Sequence, residues 1–241
     1  MTTSLTESPL APDYDRSSMT TGIVHIGVGG FHRAHEAAYL DRLMRRRAGS
    51  ASPEGSCLDW GICGVGLLPG DARMRDALEG QDHLYTLILK HPGGLRDPVV
   101  IGSIHDYLFA PDTPEAVLTL MSAPTTRIVS LTVTEGGYNV DDATGEFRTD
   151  SPGAVYDAEH PGEPVTAFGY IVEALRRRRE SGTAPFTVMS CDNLPGNGKV
   201  ARTAVVSQAA MRDPELADWI EASVAFPNCM VDRITPRTTV C

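Results

Sequence analysis

The sequence predicts an α/β fold built on a mainly parallel sheet. Short strands, apolar on nearly every residue, alternate with amphipathic helical stretches, which is how strands covered on both faces read. A glycine-rich turn, Gly27-Val28-Gly29-Gly30, stands between the first strand and the first helix. Of the 241 residues, 41% are hydrophobic, enough for a real core in one large domain or two small ones.

Residues 1–20 are polar, carry Pro9 and Pro12, and read as a flexible N-terminal arm; residues 21–241 read as the domain. Residues 23–26 form the first strand. Residues 31–46 read as one helix, with Ala34, Ala37, Leu40 and Met44 at helical spacing. A loop over 49–55 leads to a second buried strand over 60–68, ended by Pro69-Gly70. A short helix over 71–78 and strands over 84–89 and 99–104 follow. Thr113-Pro114-Glu115 starts a helix, with proline where its missing N–H does no harm. The β-branched run over 127–133 is a strand. Residues 136–162 are rich in Gly, Asp and Pro and show no period. Residues 166–179 make a strong amphipathic helix, 186–189 a strand, and further helices follow Lys199 and Asp213-Pro214.

The formal net charge of −10 argues against a nucleic-acid partner, since no basic surface is available to neutralise phosphates. The basic run Arg176–Arg179 reads as the solvated end of a helix. No stretch approaches the length of an apolar membrane span, and the first residues lack the apolar core of a signal peptide. Five scattered cysteines, Cys57, Cys63, Cys191, Cys229 and Cys241, fit free thiols in a reducing compartment, by default the cytoplasm.

Three strand ends carry the candidate chemistry. At the first, Gly27 permits a tight turn and Gly29 close approach of a pyrophosphate; the third glycine of the usual motif is replaced by His32. The same glycines could serve the turn alone. His32 and Arg33 fall at the helix start, suited to a phosphate or to a neighbouring loop. His32 and His35 lack supporting ligands, so no metal is expected. Asp71, after the second strand, suits a ribose hydroxyl contact or a helix cap. At the second end, Glu135 precedes Gly136-Gly137 and could orient a substrate hydroxyl or water, or simply be solvated. At the third, Asn193 can both donate and accept, while Cys191 reads as a structural thiol.

Together, HIGVGGFHRAH, DWGICGVGL, GQDHLYTL, RIVSLTVTEGGY, FTVMSCDNLPGNG and FPNCMVDRITP closely resemble the mannitol dehydrogenase family of long-chain polyol and sugar-acid dehydrogenases. The resemblance implies a Rossmann-like dinucleotide-binding domain followed by a mostly helical second domain, with no metal. It implies hydride transfer between NAD and a polyol/ketose pair, of the mannitol 2-dehydrogenase type. A fructuronate- or tagaturonate-type sugar-acid reductase and a non-catalytic NAD-sensing domain are the alternatives. It assigns Gly27, Gly29, Gly30 and Phe31 to the cofactor loop, Asp71 to the adenosine ribose, Glu135 to the proton path and Asn193 to the substrate. Two positions depart from the family: Leu68 stands where arginine is common, and Gly196 where histidine is common. The family's general-base lysine belongs to the second domain, and Lys90 and Lys199, the two lysines here, match no such motif. The expectation is therefore a truncated, cofactor-binding chain with little activity alone. An apolar patch around Trp219 and Phe226, or near Glu135 and Asn193, would receive the helical half, which a separate chain could supply.

Overall fold

The computed structural model describes residues 11–49, 53–141 and 143–235. Five parallel strands form the sheet: β1 (Thr21–Ile26), β2 (Gly61–Gly66), β5 (Ile104–Phe109), β6 (Ile128–Leu131) and β7 (Thr187–Ser190). Their order is β5-β2-β1-β6-β7. The chain winds outward from β1 to β5, then returns to lay β6 on the other side of β1. Between β1 and β6 the winding therefore reverses, and open α/β sheets form their ligand crevice at the carboxyl ends of such a pair. Strands β3 (Tyr85–Lys90) and β4 (Arg96–Ile101) form a separate antiparallel hairpin.

The helices are α1 (Gly30–Ala34), α2 (Glu36–Arg47), α3 (Pro53–Ser56), α4 (Ala72–Glu79), α5 (Pro114–Ser122), α6 (Pro152–Glu159), α7 (Ala167–Ser181), α8 (Asn197–Ala210) and α9 (Pro214–Ser223). Side chains alternate across β1. Val24 and Ile26 join the core formed with α5, α7, α8 and α9, whereas Ile23 joins that of α2, α4 and the hairpin. Both sheet faces are thus covered, which is why the strands read as continuous apolar runs.

The sequence reading differs from this architecture at particular places. The stretch 31–46 is two helices, broken at His35, whose φ of −121° and ψ of −87° leave the helical region. The single strand expected over 99–104 is the end of β4 and the start of β5. The edge strand β5 carries His105 and Asp106 and so lacked the apolar signature. Helix α6 lies inside the aperiodic stretch, capped by Ser151, whose hydroxyl accepts from the Ala154 N–H. The basic run is only partly solvated. Arg178 is 3% exposed and donates to the carbonyls of Met121, Ala123, Thr126 and Ala184, sealing the end of α5, while Arg177 pairs with Glu115 and Glu173.

The N-terminal arm needs the same correction over its described part. Tyr14 and Met19 are buried against Met44 and Leu58, the Tyr14 hydroxyl donates to Asp41 at 2.6 Å, and Arg16 bonds Gly102 and Asp82. Residues 1–10 and Cys241 lie outside the described residues. No helix among the described residues is long and apolar enough to cross a membrane.

Candidate cofactor and substrate site

Gly27 follows β1 with φ +94°, in the region that favours glycine; a Cβ there would stand 2.3 Å from the Thr132 carbonyl oxygen. The bare backbone lets the ends of β1 and β6 touch. Gly29 caps α1 and, unlike Gly27, would seat a Cβ without a clash, 3.8 Å from the Gly27 carbonyl oxygen. A cavity of about 550 Å³ opens beside this turn. Gly27 and Gly29 line one wall, Leu68 and Asp71 another, Gly136 and Gly137 a third, and Val165 and Phe168 close it from the start of α7.

Asp71 lies on this wall, and its Oδ2 accepts from the Leu68 N–H at 2.9 Å, tightening the turn after β2. It stands at the cap position of α4, but its side chain makes no cap hydrogen bond to that helix. Its carboxylate instead makes the capping-box bond of the helical turn Pro69–Asp71 that leads into α4. Leu68 is 65% exposed at the cavity mouth.

Gly30, Phe31, His32 and Arg33 do not line the cavity. Phe31 stacks on His35 with ring centroids 4.3 Å apart. Arg33 reaches back to the Val28 carbonyl and Met74 sulfur and lies over the Tyr85 ring, committed to the hairpin side. His32 is 1% exposed and cannot meet a surface phosphate through its ring. Helix α1 turns it inward, onto His25, with centroids 3.5 Å apart and planes 9° from parallel.

His32 belongs to a buried polar cluster that sequence reasoning missed. Its Nε2 lies 3.3 Å from Glu36 Oε2, and His25 Nδ1 lies 3.2 Å from the same oxygen. Burial pushes the Glu36 carboxyl up, but the closely placed His25 and His32 imidazoles outweigh this and hold it well below the usual carboxylate range. Burial, then the neighbouring His25, depress the His32 imidazole to about 4. The three ligand atoms lie within 4.8 Å of one another. Near-parallel stacked rings, however, keep their in-plane lone pairs in two separate, near-parallel planes. A metal needs those lone pairs to converge at about 2.0–2.1 Å, so the arrangement does not suit one.

At the other end of the crevice, Glu135 opens a short turn, Glu135–Tyr138, after β6, and Asn193 follows β7. Both are exposed, and both line one open cleft with Thr134, Gly136 and Asp192. Residues 58 positions apart are thereby brought together. Asp192, also missed from sequence, holds them in place. Its two carboxylate oxygens accept from the Val133 and Thr134 N–H groups at 3.0 Å each, and one also accepts from the Tyr138 hydroxyl at 2.7 Å. Thr134 needs such support, because it adopts φ +63° without being glycine. Burial pushes the Cys191 thiol up, which suits a structural role over a nucleophilic one. Trp219 and Phe226 are half-buried against the core, and Met230 and Ile234, at 92% and 91% exposed, are the large exposed apolar residues of the described C-terminal segment.

A parallel sheet that reverses its winding beside a glycine turn, with an acid at the end of the next strand, defines a Rossmann domain. The chain belongs to the mannitol dehydrogenase family: the family's Rossmann domain matches residues 21–240. It is 56% identical over 234 residues to a mannitol 2-dehydrogenase of Cereibacter sphaeroides, covering 97% of this chain and 47% of that protein. A mannitol 2-dehydrogenase of Pyricularia oryzae is 49% identical, over 95% of this chain and 44% of its own length. Among solved structures, the Pseudomonas fluorescens mannitol 2-dehydrogenase in ternary complex with NAD and D-mannitol superposes with a TM-score of 0.88 at 51% identity. That match covers 95% of this chain and 45% of the solved one. A substrate-free D-sorbitol dehydrogenase gives 0.87 at 47% identity, over 95% and 46%. The chain thus spans about half the length of the curated relatives it matches.

Proposed function

We propose that this chain is the NAD-binding part of a mannitol 2-dehydrogenase-type oxidoreductase acting on a polyol/ketose pair. The observation that carries the reading is the cavity of about 550 Å³ between the Gly27 turn and Asp71, at the winding reversal. Its walls suit a dinucleotide. The turn offers backbone close to a pyrophosphate, and Gly136 and Gly137 keep the opposite wall clear of side chains. Asp71 accepts from ribose hydroxyls and repels the additional phosphate of NADP. Gly30 and Phe31 shape the turn from outside the cavity, while His32 and Arg33 act through the protein.

Bound NAD would supply the hydride acceptor. The chain's own residues at the open cleft then bind and orient. Asn193 donates and accepts toward substrate oxygens, and the Glu135 carboxylate accepts a proton or orders a water. Neither Lys90 nor Lys199 lines that cleft. Oxidising an alcohol requires a base for the hydroxyl proton and donors for the developing alkoxide. These 241 residues alone should therefore bind NADH yet turn over mannitol or fructose slowly, if at all. Fluorescence titration with NADH and NADPH, alongside mannitol- and fructose-dependent turnover, tests this. Absence of NADH binding sinks the reading, and tighter NADPH binding sinks the choice of cofactor.

A further inference from the structure

Asn197 is the first residue of α8, just past the loop that carries Asn193, and it is buried. Its amide has two N–H donors and one carbonyl oxygen. Both donors are used, because Nδ2 donates to the Asp192 carbonyl at 3.1 Å and to the Cys229 carbonyl at 2.9 Å. Oδ1 accepts from the Cys229 N–H at 2.9 Å. These partners fix the orientation of the amide. Flipped, it would turn its oxygen toward two carbonyls and its NH2 toward an N–H. Asn197 thus pairs with the Cys229 backbone as a neighbouring strand would. Its remaining hydrogen holds the carbonyl of the peptide that leads into Asn193.

Cys229 belongs to a segment, residues 225–235, that is fastened at few points. At its start the Ala225 carbonyl accepts from the Val188 N–H of β7 at 3.0 Å. The Phe226 and Pro227 carbonyls then fill the space beside Gly198; a Cβ there would stand 2.6 and 2.5 Å from their oxygens. Asn228 Oδ1 accepts from the Gly198 N–H at 3.0 Å. Past Cys229 the hold weakens. Met230, Asp232, Arg233 and Ile234 are all exposed, so little burial secures this span. Thr235 is seated again. Its methyl lies 3.7 Å from the place a Cβ on Gly30 would occupy, and its hydroxyl oxygen is shut off from solvent. The segment therefore runs from the Asn193 loop to the cofactor turn. We propose that Asn197 is a positioning residue that couples the two ends of the crevice: by clamping Cys229 it holds the segment between the Asn193 loop and Gly30. Opening the clamp frees one end of the exposed span, and the contact at Gly30 goes with it. The effect on cofactor affinity rests on the NAD-binding reading; the clamp itself does not. Linkage makes the effect reciprocal. If an open clamp weakens NADH by some factor, bound NADH makes the clamp open less often by the same factor.

The test uses the full 241-residue chain and begins without a variant. In backbone hydrogen exchange followed by NMR, the Cys229 amide should be protected about tenfold or more beyond the amides of Met230 and Ile234. Low urea should leave its rate unchanged, which marks local opening, whereas the β1 amides should respond to urea. Saturating NADH should then slow exchange at Cys229 by about fivefold or more, the range of coupling between sites, and the urea control separates this from global stabilisation by a ligand. Asn197→Ala should abolish the protection and weaken NADH, read by fluorescence titration, by the same factor. Gly198→Ala keeps the Asn197 side chain but pushes the Phe226 and Pro227 carbonyls away, and should act in the same direction. A Cys229 amide that exchanges as fast as Met230 and Ile234 overturns the clamp. Exchange that follows urea as β1 does makes the contact part of the global fold and overturns a separate positioning role. Unaltered NADH affinity in both folded variants overturns the coupling. If the unaltered chain binds no NADH, the NAD-binding reading falls and the coupling falls with it, while protection lost in Asn197→Ala leaves the clamp established.

Discussion

The two ends of the crevice are made from the same material, polar residues just past parallel strands, yet they are built differently. At β1 and β2 the Gly27 turn and Asp71 face a walled cavity of about 550 Å³, with α7 closing its far side. At β6 and β7, Glu135 and Asn193 stand exposed over a floor made by Asp192 and Thr134. The contrast separates two kinds of determinant. A ligand at the first end meets backbone and walls that these residues complete themselves. At the second end the residues are held in place over an open cleft that no wall closes among the described residues. Substitutions should therefore affect stability and NADH affinity together at the first end. At the second, only the floor should matter to the fold.

Gly27→Ala tests the first half of that contrast most severely. The new Cβ would meet the Thr132 carbonyl at 2.3 Å with φ at +94°. The expected loss is about 3 kcal/mol or more of stability, with NADH binding abolished. Urea denaturation and fluorescence titration read both. A folded variant that binds NADH normally would mean that the turn does not set the cavity.

Asp192→Ala comes next, because it attacks the floor of the other end. It strands the Val133 and Thr134 N–H groups and leaves the Tyr138 hydroxyl with Ser190 alone. A cost of about 2–3 kcal/mol is expected, with NADH affinity changed much less than by Gly27→Ala. If urea midpoints show no loss, Asp192 is not what holds the cleft.

The acid side of stability belongs to the cluster under the turn. The folded chain holds His32 at about 4 against an ordinary 6.5, so the unfolded chain binds the proton first as pH falls. Stability from this group is complete above about pH 6.5 and is lost as pH falls toward 4; the depressed Glu36 carboxyl extends the loss below its ordinary range. The loss assigned to His32 is on the order of 2 kcal/mol. His32→Phe keeps a stacking ring and removes the proton site. Its urea midpoint should be flatter between about pH 6.5 and pH 4.5 than that of the unaltered chain. An equally steep loss would place the acid sensitivity elsewhere.

What was legible in the sequence follows from the range of the interactions. The Gly27 turn, the strand before it and Asp71 after the next strand are local patterns; they read correctly as an α/β layer fold, and Gly27 and Asp71 line one cavity in it. The cluster under the turn was not legible, because His25 meets Ser130 and Thr132 across 105 and 107 residues and Ser130 meets Glu36 across 94. Asp192 reaches its amides across 58 and 59 residues, and nothing beside it in sequence announces that role. His32 was misplaced for the opposite reason. A histidine at a helix start resembles a phosphate ligand until the break at His35 shows which way α1 faces.

Asp71→Asn sharpens the nucleotide end at modest cost. The amide oxygen can still accept from the Leu68 N–H, so the turn should persist. What goes is the negative charge and one acceptor toward the ribose. NADH affinity should fall by about tenfold while NADPH affinity rises or holds. Parallel titrations with the two cofactors decide it, and an unchanged preference would move cofactor selection away from this carboxylate.

Glu135→Gln should do least, and that is its value. Among the described residues the Glu135 carboxylate makes no hydrogen bond or ion pair, and its position on the turn after β6 is fixed by Asp192 through the backbone. An isosteric amide on an exposed side chain should shift stability by no more than about 0.5 kcal/mol and leave NADH affinity unaltered. Thermal melts and NADH titration of the two proteins side by side provide the comparison. A clear drop in either would make Glu135 part of the scaffold and erase the distinction between a walled end and an open one. No change in either would leave its carboxylate free for the proposed substrate role beside Asn193.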